Sequence, residues 1–296
     1  MLGQGIKETA LERALNRDRV IVGAALVLVL LICWIYVLMG AGMDMSAFTM
    51  SSVDMALGRI KPGQMAVGDE MGAMSNTMSR MATPVAWNVG YAVLMFFMWW
   101  IMMIAMMLPS AAPMVLLHAK IARSSSARAN MPAAPWSTAS FTLGYLLCWA
   151  AFSMVAVALQ RAFESFGLLS PMMLNSTNTL FAGGILVLAG LYQMTPLKKA
   201  CLEHCRSPIA FLSQNWRDGS GGALVLGLQH GVYCLGCCWG LMAILFFGGI
   251  MNLYWIIGLA LIVFLEKLLP VGPRLGQITG ALLLAWGATF LYSALV

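Results

Sequence analysis

Five of the seven cysteines in this 296-residue chain stand in two short groups, each with a histidine. One group reads His230-Gly-Val-Tyr-Cys234-Leu-Gly-Cys237-Cys238, and the other reads Cys201-Leu-Glu-His204-Cys205. On an α-helix, residues three, four, seven or eight apart share a face. His230, Cys234, Cys237 and Cys238 are therefore expected on one stripe, and Cys201, His204 and Cys205 on a second. An imidazole with up to three thiols is a nitrogen–sulfur set suited to copper(I), zinc or mercury(II). One straight helix cannot wrap a tetrahedral ion, so other helices should contribute. If residues 201–205 fold back toward the mouth of the bundle, they complete the site or hand ions to it.

Simpler explanations compete with this one. Gly231 and Gly236 are also what close helix packing uses, and one cysteine in an apolar helix is ordinary packing. Three thiols with a histidine in an apolar segment favour metal or redox chemistry, because polar groups there tend to be functional. Disulfides fit poorly: a reducing compartment disfavours them at Cys201 and Cys205, and adjacent Cys237 and Cys238 would form a strained pair. Cys33 and Cys148, alone among apolar residues, read as small buried hydrophobes.

Methionine, with 25 copies, is the second anomaly. Met95, Met98, Met102 and Met106 follow steps of three and four, and Pro109 continues the stripe. Thioethers suit copper(I) and silver(I), which makes Met102 and Met106 candidate ligands on a low-affinity path; methionine also fills gaps between helices. Met43, Met45, Met50 and Met55 precede a second helical spacing at Met71, Met74, Met78 and Met81. No histidine or cysteine accompanies them, which favours an amphipathic surface helix over an ion-gathering arm.

These residues must be positioned by an unusually apolar chain. It is 61% hydrophobic and 9% charged, against about 25% charged in soluble domains. The apolar runs are long enough to cross a hydrocarbon core. They are continuous rather than alternating, which excludes a β-barrel. The fold class is all-α: a polytopic bundle of about seven transmembrane helices near 20–39, 89–116, 138–160, 178–195, 221–248, 252–269 and 276–294. Pro109 and Pro113 are expected to kink or end the second. Residues 1–19 read as a cytoplasmic segment, and 20–296 as one membrane domain that includes the methionine-rich external segment 41–88. The first span is too long for a signal-peptide core and reads as a retained anchor.

Most of the 17 basic residues fall in the segments on the same side as the N-terminus, an asymmetry that places the N-terminus in the cytoplasm and the C-terminus outside. They sit singly at span ends, without interleaved aromatics, so the net charge of +6 does not point to nucleic acid. Glu266 and Lys267 are expected to pair locally or reach the interface. No nucleotide motif stands out.

Trp-Trp-Ile-Met-Met-Ile-Ala-Met-Met-Leu-Pro (99–109), Tyr192-Gln-Met-Thr-Pro-Leu-Lys198 leading into Cys201-x-x-His-Cys205-Arg-Ser-Pro208, and Gly231-x-x-Cys-x-Gly-Cys-Cys-Trp239 with Gly248-Gly-Ile-Met-Asn252 resemble a bacterial family. That family is the predicted metal-binding integral membrane proteins, defined by a domain of unknown function. The resemblance covers about 90–270 and implies a membrane fold and a metal role, without fixing a substrate.

The leading expectation is a soft-metal protein of the bacterial inner membrane, handling copper(I), with zinc as the alternative ion. It would transport the ion or deliver it to a membrane cuproenzyme, or exchange it with a periplasmic metallochaperone. Cys234, Cys237 and Cys238 would ligate as thiolates with His230, and Cys201, His204 and Cys205 would form a relay. Hard cations need oxygen ligands that are scarce here. Two other classes stay open. One is a membrane thiol–disulfide oxidoreductase built on the C-x-x-C of Cys234 and Cys237. The other is a non-catalytic subunit with a structural metal site.

Overall fold

The computed structural model describes residues 10–42, 47, 51, 87–128, 135–170, 174 and 176–296. The methionines at 43, 45, 50, 55, 71, 74, 78 and 81, with most of segment 41–88, lie outside the described residues. Among the described residues every regular element is helical: α1 (Ala10–Leu38), α2 (Val89–Arg128), α3 (Pro135–Ser165), α4 (Thr179–Gln193), α5 (Pro196–Arg206), α6 (Pro208–Asn215), α7 (Gly219–Ala243), α8 (Leu245–Gly248), α9 (Leu253–Leu268) and α10 (Gly272–Leu295).

Among the described residues five stretches are long and apolar enough to cross a membrane: Val20–Leu38, Val89–Ser124, Trp136–Ser165, Gly219–Gly248 and Gly272–Leu295. A sixth arises if α4 and α5, bent by 62° at their junction, count as one. The expected count of seven is not supported. The remaining candidate, α9, has 16 residues, or about 24 Å of helix against a hydrocarbon core of about 30 Å. Pro109 and Pro113 do not end α2, which continues through both.

Small residues set the closest approaches. A methyl group on Gly227 of α7 would overlap the Phe141 carbonyl oxygen of α3, and one on Gly144 would overlap the Leu224 carbonyl. At the second contact, a methyl on Gly190 of α4 would lie 2.9 Å from the Gly280 oxygen of α10, and one on Gly280 3.0 Å from the Gly190 oxygen. Glycine thus lets two helix pairs approach to backbone distance, which strengthens dispersion contact where solvent cannot drive association.

The outer surface is apolar, with Leu28, Leu31, Ile32 and Ile35 of α1 and Leu147, Met154 and Val155 of α3 exposed. The centre is rich in sulfur and aromatic rings. Met95, Met98, Met102, Met103, Met106 and Met107 are buried together with Trp99, Tyr145 and Trp149. Trp99 donates its indole N–H to Gln160 Oε1 at 2.8 Å, and Trp100 donates to the Leu146 carbonyl at 3.0 Å. Both pack within the bundle, as their depth in the apolar run requires. Cys33 and Cys148 are buried as well.

Candidate metal centre

The local structure that brings the two cysteine groups together is the break between α4 and α5. Thr195 caps α5: its hydroxyl oxygen accepts from Lys198 N at 3.3 Å, and Pro196 occupies the first turn. A capping threonine followed by proline starts a new helix in a new direction. Tyr192, just before the break, donates its hydroxyl to the Gly236 carbonyl of α7 and packs its ring 4.7 Å from Trp239 with the planes tilted by 58°. Helix α5 is thereby folded back along α7, which meets the condition on which the two cysteine groups adjoin.

The register of α5 against α7 then decides which side chains meet. Gly236 leaves the space that Cys201 fills; a methyl there would sit 2.7 Å from the Cys201 sulfur. One turn on, the Cys205 thiol meets Cys237. His204 turns away. It is exposed, its Nδ1 lies 2.8 Å from the Ala200 carbonyl, and its ring stacks at 4.3 Å on Tyr233. The structure therefore joins Cys201 and Cys205 to the α7 group and leaves His204 on the outer side of α5.

On α7 itself, Cys234, Cys237, Cys238 and His230 are all buried. Gly227 and Gly231 lie on the same face two turns and one turn before Cys234, and their lack of side chains seats α3 against it. Gly231 faces Cys148, with a methyl placed 2.6 Å from the Cys148 Cβ. These glycines do serve helix packing, and that packing is what carries Tyr145 to the thiols. The Tyr145 hydroxyl stands 3.2 Å from Cys234 Sγ and 3.4 Å from the Met107 carbonyl of α2.

Helix α9 supplies the charged groups. Lys267 donates to Cys234 Sγ at 2.9 Å and to Ser110 Oγ at 3.1 Å. Glu266 points to another side, pairs with Lys198 Nζ at 2.7 Å and accepts from Gln193 Nε2 at 3.1 Å; Lys198 also donates to Gln193 Oε1. The expected local pair of Glu266 with Lys267, or their reach to an interface, is not found, since neighbours on a helix point about 100° apart and both are buried. Glu266 clamps α5, and Lys267 clamps α7 and α2.

Methionine enters the centre through Met107, whose sulfur is 3.8 Å from Cys238 Sγ. Met102 and Met106 are buried in the same core. The donors meet as pairs, Cys238 with Met107 and Cys237 with Cys205. Among the described residues no three His, Cys, Asp or Glu side chains converge closely enough to hold a metal ion. The single stripe expected to converge does not do so. Cys237 and Cys238 both donate their thiols to the Cys234 carbonyl, at 3.0 and 2.9 Å. The His230 ring stacks instead with Tyr145 at 5.6 Å and Phe141 at 6.1 Å. All seven cysteines are free thiols.

Sequence spacing did not single out Met107, Tyr145, Ser110, the role of Lys267, or His118. A signal was present for two of them. Met107, Ala111, Met114 and His118 follow steps of four, three and four, one buried face of α2.

A family model described as PpoB2, copper chaperone, matches residues 96–290. The chain belongs to the PpoB2 copper-chaperone family. The matched stretch takes in every cysteine of the centre, the buried methionines from Met98 onward and the Lys267–Cys234 contact, while α1 falls outside it. No curated protein and no solved structure matches the chain.

Proposed function

We propose that this protein is a copper(I) chaperone of the bacterial inner membrane that holds the ion as cargo in the sulfur-rich centre and delivers it to a membrane cuproenzyme. The observation that carries the reading is the pairing of Cys237 with Cys205 and of Cys238 with the Met107 thioether, beside Cys234 in one core built from three helices, inside a copper-chaperone family member. Copper(I) favours soft thiolate and thioether donors over oxygen, and the described centre offers sulfur in quantity. Thiol and thioether pairs that need only turn their rotamers suit an ion that must be both held and released.

Lys267 sits where an incoming cation would compete with it for Cys234. Ser110, already bonded to the same ammonium, offers it a resting partner when the sulfur is taken. Cys201 lies beside the centre on the half-buried α5 and serves as the next thiol along. Membrane placement rests on the long apolar helices and the apolar outer surface, and the basic residues favour a cytoplasmic N-terminus. Under this reading the short α9 is the seventh membrane-embedded helix, lodged within the bundle.

Competition with a chromogenic copper(I) chelator, using purified wild type and Cys234→Ser/Cys237→Ser, tests the assignment. The wild type should withdraw copper(I) from the chelator and the double variant should not. Equal, negligible withdrawal by both would sink the proposal. Thiol trapping in intact cells that finds Cys234 and Cys237 cycling to a disulfide would favour the oxidoreductase class instead.

A further inference from the structure

Among the described residues, two histidines of the bundle interior carry buried ring nitrogens without a hydrogen-bond partner. His118 of α2 is fully buried, and neither of its ring nitrogens has a partner; His230 of α7 is 3% exposed, and its Nδ1 has none. Each unsatisfied buried polar atom costs about 1–3 kcal/mol, and native structures keep few of them. An apolar residue at 118 would avoid that loss, so the fold retains the imidazole at a cost.

The placement of the rings is ordered. His118 stacks on Phe141 at 4.6 Å between centroids with planes 16° apart. Phe141 stacks on His230 at 6.1 Å, and His230 on Tyr145 at 5.6 Å. The Tyr145 hydroxyl then touches Cys234. At the far end His118 packs 5.4 Å from Trp216, which is partly exposed. A column of rings thus runs from a part-exposed tryptophan to the first thiol of the centre, with Phe141 stacked on two imidazoles that each carry an unpartnered ring nitrogen.

We propose that His118 is a waypoint for a soft monovalent cation, passing copper(I) or silver(I) across the face of Phe141 to His230 and from there to Cys234. This rests on the copper reading above. A neutral imidazole has one N–H and one lone pair, and imidazole is a good ligand for copper. An aromatic face attracts a cation, more strongly where water is excluded, so Phe141 lowers the barrier between the two rings instead of blocking it. At the last step the nitrogen–metal bond to His230 breaks as the sulfur–metal bond forms to the Cys234 thiolate that faces the Lys267 ammonium; no proton is displaced and no electron changes hands. Because the two imidazoles are held apart by Phe141, His118 affects how fast the centre fills and not how tightly it holds the ion.

The test compares His118→Leu with His118→Met in the full-length purified protein. The two side chains are similar in volume, but only methionine can ligate. Sulfur-to-copper charge-transfer absorbance is followed after rapid mixing with a copper(I) complex, and affinity is measured by chelator competition. Loading should slow about tenfold or more in His118→Leu, equivalent to about 1.4 kcal/mol of barrier, and recover toward wild type in His118→Met, with affinity the same in all three. Equal loading rates in the Leu and Met variants, whether fast or slow, would overturn the waypoint while leaving the thiol centre intact. A wild type that shows no charge-transfer signal at all would overturn both readings.

Discussion

Replacing Glu266 tests how the clamp between α9 and α5 holds the centre together. The Lys198–Glu266 pair is 2.7 Å long, and the side chains are only 3% and 2% exposed, so solvent screens it little. Removing one member of such a pair leaves an uncompensated buried charge and costs about 3–5 kcal/mol. Glu266→Leu should therefore lose about that much stability in denaturant unfolding of the detergent-solubilised protein. Lys198→Met/Glu266→Leu removes both charges and keeps the volume. Its remaining cost is the orphaned Gln193 amide, which bonds both partners, at about 1–3 kcal/mol. The double variant should then be more stable than Glu266→Leu by about 2 kcal/mol, and adding Lys198→Met completes the double-mutant cycle that gives the coupling between the two groups. Because Lys198 lies two turns before Cys205, Glu266→Leu should also expose Cys205 to thiol reagents faster than the double variant does. A double variant no more stable than the single one would refute the reasoning, as would a single variant indistinguishable from wild type.

Gly227→Ala places a methyl on the Phe141 carbonyl, forces α3 away from α7 and should cost about 1–3 kcal/mol in the same unfolding assay. Gly184→Ala, whose methyl meets nothing within 4 Å, is the control and should be neutral or stabilising by up to about 1 kcal/mol. Met107→Leu conserves volume, so stability should change by less than about 1.5 kcal/mol, while chelator competition should show copper(I) affinity reduced about tenfold, or about 1.4 kcal/mol, as the sulfur facing Cys238 is lost. Tyr145→Phe removes the hydroxyl between Met107 and Cys234 and should cost about 0.5–1.5 kcal/mol in thermal unfolding, without abolishing copper(I) binding.

Helix positions were readable because apolar length needs no knowledge of partners, and the starts of α2, α3, α7 and α10 lie close to where hydropathy places them. Hydropathy could not distinguish α9 from a full span: its 16 residues are apolar up to Leu265, and its shortness shows only once Leu269 and Pro270 break the helix. The proline pair does not end α2, because a long helix packed on α1, α3 and α9 tolerates two missing backbone donors that would end an isolated one. Spacing correctly grouped the cysteines by face. It could not say that Cys237 and Cys238 donate to the Cys234 carbonyl, since that depends on rotamers chosen within the packed core. Lys267 and Tyr145 reach Cys234 from helices remote in sequence, and no periodicity in α7 encodes such a contact. His118 was within reach of the same spacing argument that found the methionines, had the buried face of α2 been followed past Pro113.

X-ray absorption at the copper edge of the copper(I)-loaded, purified protein tests the central claim most directly. The account predicts a first shell dominated by sulfur, which loses sulfur in Cys234→Ser/Cys237→Ser and in Met107→Leu. A shell of nitrogen and oxygen alone, unchanged by those substitutions, would contradict it.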